Sequence, residues 1–215
     1  AQSLPEELFP LIKKLKELGI LFVAASGRQY ANMKRLFEPV ADEMAFISEN
    51  GGLAVQNEKV LYQDSFPPAL VKELVEAIYD RKGAEFTCST KDFYYICPKT
   101  EHYRDLMLNV VKNNCRDIES FDEIKEPCMK VAVYERGGIQ EDSIRYWRER
   151  FGDKCTVVTS GFAWVDFVPF ETNKARGLKE YQKRFGIKPE ECVVFGDEYN
   201  DIAMLKSVPY SFAMA

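Results

Sequence analysis

Two unbroken apolar runs constrain this chain more than any other feature. Residues 20–25 and 192–195 are strand-length stretches of apolar side chains, each preceded by a helical pattern that a glycine closes, Gly19 and Gly186. Each is followed by a glycine-containing break, Ser26-Gly27-Arg28 in one case and Gly196-Asp197 in the other, after which a helical pattern begins again. A strand that is apolar along its whole length has to be covered on both faces, which is the situation of parallel strands in a sheet flanked by helices.

The first helix is expected to open on a Ser3 to Glu6 capping box with Pro5 in its first turn, and to bury Leu8, Leu11, Ile12, Leu15 and Leu18 on one face. A second helix is expected over residues 30–37, and short strands over 44–48 and 53–55, separated by the turn signal Asn50-Gly51-Gly52. At the other end the pattern gives a helix over 173–185, a helix start near Asp201 and a last strand at 210–214.

The middle of the chain differs. It reads as a helix (68–82), a hairpin (85–97) around Lys91-Asp92, a helix (101–113), a strand (129–134), a helix (139–151) and a strand (156–159). Hairpin connections imply antiparallel strands. The expected architecture is therefore α/β: a Rossmann-like parallel-sheet core formed by residues 1–60 and 161–215, with an α+β domain at 61–160 inserted into it.

Composition excludes several classes of function. With 46% hydrophobic and 29% charged side chains the chain can bury a core, and its net charge of -5 is scattered, so no basic face for nucleic acid or anionic lipid is evident. No segment approaches the roughly 18 apolar residues that span a bilayer, and no secretory signal is evident, so a cytoplasmic protein is expected. The six cysteines (Cys88, Cys97, Cys115, Cys128, Cys155 and Cys192) form no CxxC pair, and His102 is the single histidine. A zinc site is not expected, and the thiols should be reduced and mostly buried.

Chemistry is expected beyond the carboxyl ends of the parallel strands, where helix N-termini present free N–H groups. Ser26-Gly27 offers a hydroxyl and an unshielded N–H to a phosphate oxygen, although Ser26 could equally cap the next helix. In Gly196-Asp197-Glu198-Tyr199-Asn200-Asp201, carboxylates at a strand end and four residues later suit Mg²⁺, the alternative being that Asp197 shapes the turn and Asp201 caps a helix. Lys174, at a helix start, could neutralise a phosphate, or be a solvated lysine.

In this order, strand-Ser-Gly-Arg, a helix-start lysine and strand-Gly-Asp-x-x-Asn-Asp resemble the haloacid dehalogenase superfamily. The run ISENGG, the large insertion after it and VVFGDEYNDIAML narrow the resemblance to its Cof-like group with a large α/β cap. The resemblance implies Mg²⁺-dependent hydrolysis of a small phosphomonoester, such as a sugar phosphate, through an aspartyl-phosphate. It gives Ser26, Gly27 and Asn200 to the phosphate, Lys174 to catalysis by neutralising the phosphate and the nucleophile, Asp197 to catalysis and the metal, and Glu198 or Asp201 to the metal or its waters. Asn50 and Arg28 would line the substrate entrance, unless Arg28 pairs with a surface carboxylate. The cap, which closes over the leaving group in this family, offers Phe93, Tyr94, Tyr95, Trp164, Lys130 and Arg136 as substrate contacts or as packing. Oligomeric state is unreadable.

Two departures stand out. The family's nucleophile and acid/base lie in an Asp-x-Asp-Gly-Thr stretch, and none occurs in these 215 residues. The expectation is that an N-terminal segment outside this sequence carries them, and that a further helix and strand follow Ala215; these residues alone would be inactive. Ala175 follows Lys174 where the group often has glycine. The rival readings are a phosphate-binding or regulatory module without turnover, and a related phosphomutase.

Overall fold

Only the second half of the first apolar run pairs as a strand: Val23, Ala24 and Ala25 lie parallel to Ala45, Phe46 and Ile47. The computed structural model describes residues 4–111, 114–159 and 161–214. In chain order its elements begin with α1 (Leu8–Glu17), β1 (Val23–Ala25), α2 (Tyr30–Leu36), β2 (Ala45–Ser48), β3 (Leu53–Gln56) and β4 (Lys59–Gln63). There follow α3 (Pro68–Asp80), β5 (Ala84–Ser89), β6 (Tyr94–Ile96), α4 (Glu101–Asp105), β7 (Cys115–Asp117), β8 (Lys130–Glu135), α5 (Glu141–Phe151), β9 (Thr156–Thr159) and β10 (Trp164–Val168). The chain closes with α6 (Lys174–Phe185), β11 (Val193–Gly196), α7 (Ile202–Leu205) and β12 (Tyr210–Ala213).

These elements fall into two units, one made of Ala1–Asp64 with Thr172–Ala215 and the other of Ser65–Glu171. In the first unit, β1-β2-β3-β4 form one sheet, parallel between β1 and β2 and antiparallel thereafter, while β11 and β12 form a separate parallel pair. The helix α6 fixes its own position through Tyr181, whose buried hydroxyl donates to the carbonyls of Phe46 (3.2 Å) and Val55 (2.7 Å). Around it Ala45, Ile47 and Ala54 form one small core, and Val194, Met204 and Val208 form another; Ala25 and Leu178 pack against both.

The second unit is a six-stranded sheet in the order β7-β6-β5-β8-β10-β9. One face, carrying Phe86, Val131, Val133, Val165 and Phe167, merges into a single core with Leu74 and Ile78 of α3 and with Trp147 and Phe151 of α5. The alternation of strand side chains sends Thr87, Lys130, Ala132, Tyr134 and Asp166 to the other face. There Tyr103 and Met107 cover one end, against Tyr94, Ile96, Tyr134 and Trp164.

Several expectations change. The expected helix over 101–113 is α4 followed by a π-helical turn at Leu106–Val111, and its last two residues, 112 and 113, lie outside the described residues. So does Ser3, the expected N-cap of the first helix; of its apolar face only Ile12 is buried, while Leu11 and Leu18 are exposed. The strands of the second unit are not all antiparallel, because β6 and β7 run parallel. Strands β4, β7 and β10 were not expected, and β10, beyond the 160/161 boundary read from the sequence, pairs with β8 and β9 in the second unit.

Candidate active site

Four chain segments of the first unit meet beyond the ends of β1, β2 and β11. Lys174, the first residue of α6, is 5% exposed, and its ammonium donates to Asp201 Oδ1 at 2.6 Å and to Asn200 Oδ1 at 3.1 Å. Asn173 before it caps the helix, its Oδ1 accepting from Arg176 N at 3.1 Å. A lysine ammonium has three protons, so after these two hydrogen bonds one N–H of Lys174 remains for a ligand.

Asp201 is used fully. Its Oδ1 takes the lysine, and its Oδ2 accepts from the backbone N–H groups of Asp197 and Glu198, both at 3.1 Å. Burial pushes its carboxyl up, but the hydrogen bond from Lys174, the two N–H groups and the lysine's charge outweigh that and leave it below the ordinary value. The consequence is structural: Asp201 closes the Gly196–Asp201 loop on itself and fixes the lysine to it.

The other two segments join through asparagine. Asn200 Nδ2 donates to Asn50 Oδ1 at 2.9 Å, and the Asn50 N–H donates to the Ser26 carbonyl at 3.1 Å. Ser26 Oγ accepts from Arg28 N at 3.2 Å, and the Arg28 carbonyl accepts from Glu49 N at 3.0 Å, so the 26–28 and 49–50 loops are laced together. Glu49 and Asn50 adopt φ of 50° and 56°, left-handed values that cost non-glycine residues about 1 kcal/mol or more and are held by this lacing.

Close approach explains two glycines here. A Cβ on Gly27 would lie 2.7 Å from Asn50 Oδ1, and one on Gly51, at φ +101°, would lie 1.9 Å from the Asn173 carbonyl oxygen. Gly27 therefore packs its Cα against the Asn50 amide, and its N–H has no hydrogen-bond acceptor among the described residues. Gly51 and Asn173 were missed as site-building residues; the Gly-Gly pair and an asparagine just before a helix were the available signals.

Ser26, Gly27, Asn50, Lys174, Asn200 and Asp201 are thus linked by hydrogen bonds or close contact. Asp197 and Glu198 join them through their backbone, with both side chains exposed. Arg28 joins through its backbone, and the residue is exposed. Among the described residues no three His, Cys, Asp or Glu side chains gather as a metal cage. Mg²⁺ does not need one, since it keeps several waters and takes one or two carboxylates plus phosphate oxygens. An exposed aspartate at a strand end, on the loop that holds the buried Lys174, fits that demand.

Comparison with known proteins agrees with this geometry. The family model described as haloacid dehalogenase-like hydrolase matches residues 1–215. The 5-amino-6-(5-phospho-D-ribitylamino)uracil phosphatase YbjI of Escherichia coli is 29% identical over 209 residues, 97% of this chain and 77% of that protein. Among solved structures, a protein from Eubacterium rectale superposes with a TM-score of 0.89 at 22% identity, covering 98% of this chain and 80% of its own. The subclass IIB sugar phosphatase BT4131 gives 0.77 at 23% identity, covering 98% and 80%. Together the strand-end loops, the buried lysine and the match along the whole sequence establish that this chain belongs to the haloacid dehalogenase-like hydrolases.

Proposed function

We propose that the protein is a Mg²⁺-dependent phosphatase of small phosphomonoesters, with sugar or polyol phosphates as the substrate class, and that its first unit is the catalytic core and its second an inserted cap. The observation that carries this is the buried Lys174 ammonium, held by Asp201 and Asn200 with one N–H left over and linked through Asn200 and Asn50 to the Ser26-Gly27 turn. Phosphoryl transfer passes through a charge-spread transition state, so catalysis consists largely of positioning and positive charge. Lys174 supplies the charge without needing to reorganise, because its position is set by two hydrogen bonds.

In this reading Ser26, Gly27 and Lys174 hold the phosphoryl oxygens, and Asn50 and Asn200 orient the phosphate. Asp197, with Glu198 beside it, would hold Mg²⁺, which when bound would supply further positive charge to the phosphoryl group. Asp201 serves the site through Lys174 and the loop rather than as a metal ligand. An aspartate carboxylate attacks phosphorus and the ester P–O bond breaks; a second aspartate protonates the leaving oxygen, and water then cleaves the aspartyl-phosphate. We assign both aspartates to an Asp-x-Asp segment of a longer chain. The names of two relatives, one for a phosphoribityl compound and one for sugars, support the substrate class. A cytoplasmic setting is supported by six cysteines that are all free, and no helix among the described residues is long and apolar enough to cross a membrane.

The test is phosphate release from a panel of sugar and polyol phosphates by the protein in its whole natural form, with and without Mg²⁺. Metal-dependent turnover that falls by at least about a hundredfold in Asp197→Asn is expected. Turnover that survives this change with its metal dependence intact rejects the assignment. Phosphate binding without any turnover identifies a non-catalytic module instead.

A further inference from the structure

Two residues outside the site's own loops tie its segments together. Asp64 follows β4, and Thr172 stands two residues before Lys174; they are the last and first residues of the first unit at the two places where the chain passes between the units. The Thr172 hydroxyl donates to Asp64 Oδ2 at 2.6 Å, and both residues are half-buried. A hydroxyl bonded to a carboxylate at this length belongs to the charge-assisted class, about twice as strong as a neutral hydrogen bond.

The backbone of Asp64 is engaged as well. Its N–H donates to the Gly52 carbonyl at 2.7 Å, which carries the β3–β4 ladder one bond past the Leu53–Gln63 pair. A Cβ on Gly52 would meet the Thr172 methyl at 3.6 Å, an ordinary contact, and Asn173 has its carbonyl packed on Gly51. The contacts therefore close a ring that runs from Gly51 and Gly52 through Asp64 to Thr172 and Asn173 and back. One arm of the ring is the turn that carries Asn50, and the other is the entry to α6 that carries Lys174. Glu171, where that entry begins, holds a φ of 64°, a left-handed value unfavourable for a residue other than glycine, so the entry is a conformation that has to be held in place.

The place of this entry matters to the chemistry. A charge aimed at a transferring phosphoryl group acts only where it is held, and a displacement of about 1 Å can cost on the order of a hundredfold in rate. Through its ammonium Lys174 is fixed to the Gly196–Asp201 loop. The Asp64–Thr172 bond fixes the chain two residues before it to the turn that carries Asn50. We propose that Asp64 and Thr172 are positioning residues of the phosphate site, their hydroxyl-to-carboxylate bond setting where Lys174 stands relative to the Asn50 turn. The inference rests on the phosphatase reading, in which Lys174 neutralises the phosphate.

The two branches of Thr172 supply the test. Thr172→Val keeps the methyl over Gly52 and removes the hydroxyl, whereas Thr172→Ser keeps the hydroxyl and removes the methyl. In the whole natural protein with Mg²⁺ and p-nitrophenyl phosphate, Thr172→Val is expected to lower kcat about tenfold with KM changed less than about twofold, and Thr172→Ser to stay within about twofold of wild type. Asp64→Ala is expected to match Thr172→Val, and the double variant to be no slower than either, since all three lose the same bond. Rates are compared well below each variant's melting transition, where a loss of stability alone leaves kcat unchanged. An unchanged kcat in Thr172→Val, or damage by serine and none by valine, overturns the inference and leaves the phosphatase reading standing. Absence of turnover in the wild type overturns that reading instead, and calorimetric titration with inorganic phosphate then decides the inference. Affinity lost about tenfold in Thr172→Val and kept in Thr172→Ser supports it; equal affinity in all three proteins, or no phosphate binding by the wild type, overturns it.

Discussion

Among the described residues the two units differ in how far their own side chains cover their sheets. In the second, one face of six strands disappears into a single core with α3 and α5, and Phe86, Val131, Val133, Trp147, Phe151 and Phe167 are each 1% exposed or less. In the first, the β11–β12 pair buries Val194 but leaves Val193, Phe195, Tyr210 and Phe212 each more than half exposed. The buried ion pairs invert the comparison. Lys174–Asp201 in the first unit is closed at 2.6 Å and hydrogen-bonded further on both sides, while Lys130–Asp166 in the second is open at 3.5 Å. Stability is concentrated where apolar packing is deep, and polar precision where the chemistry is proposed.

The largest effect expected from this contrast is in the second unit's core. Trp147 is fully buried and touches Tyr146, Phe151 and Phe167 ring to ring. Trp147→Ala should cost about 3–5 kcal/mol, the lost transfer energy plus the cavity left behind. Denaturant unfolding measures it. A loss under about 1 kcal/mol would mean that this core can collapse around the gap, and the contrast in packing would fail.

The closed ion pair gives the next effect, and it depends on pH. Asp201 has its folded pKa held below the ordinary value, so its contribution is fully present above that ordinary value and is lost as pH falls through the folded one. Asp201→Asn should cost about 2–3 kcal/mol at neutral pH by leaving Lys174 buried without its counter-charge. The gap in melting temperature between wild type and variant should then narrow as the pH is taken below the ordinary aspartate range. Parallel melting curves across that range would show that Asp201 carries no special stabilisation.

How much of this was legible in sequence follows the same division. The site segments could be located because each is local: an apolar run and a break place Ser26 and Asp197 at strand ends, and a helical pattern places Lys174 at a helix start. What Asp201 does could not be read, because a carboxylate four residues after another looks the same whether it binds metal or ties Lys174 to the loop. Strand β10 was hidden by Asp166, an acid in the middle of Trp-Val-Asp-Phe-Val that interrupts the apolar run. Strand β4 was missed because its hairpin turns on Asn57-Glu58, at φ 48° and 63°, without the glycine that usually marks such a turn. The π-helical turn at Leu106–Val111 could not be foreseen, since its apolar spacing also suits an α-helix.

The smallest expected effect tests the exposed face of the first unit. Phe195 and Phe212 stack at 5.3 Å and 19°, a favourable arrangement, yet they are 62% and 52% exposed. Most of the water contact that burial would remove is therefore still there, and the stabilisation from this pair should be a small part of what a buried ring gives. Phe195→Thr keeps a side chain suited to a strand and should change the stability of these 215 residues by no more than about 0.5 kcal/mol. Urea unfolding at two protein concentrations separates the possibilities. A loss above about 2 kcal/mol that grows with concentration would mean that the aromatic face is covered by a second copy in solution. An equal loss at both concentrations would mean that the stacked rings contribute far more than their exposed area implies, and the contrast between the two units would narrow.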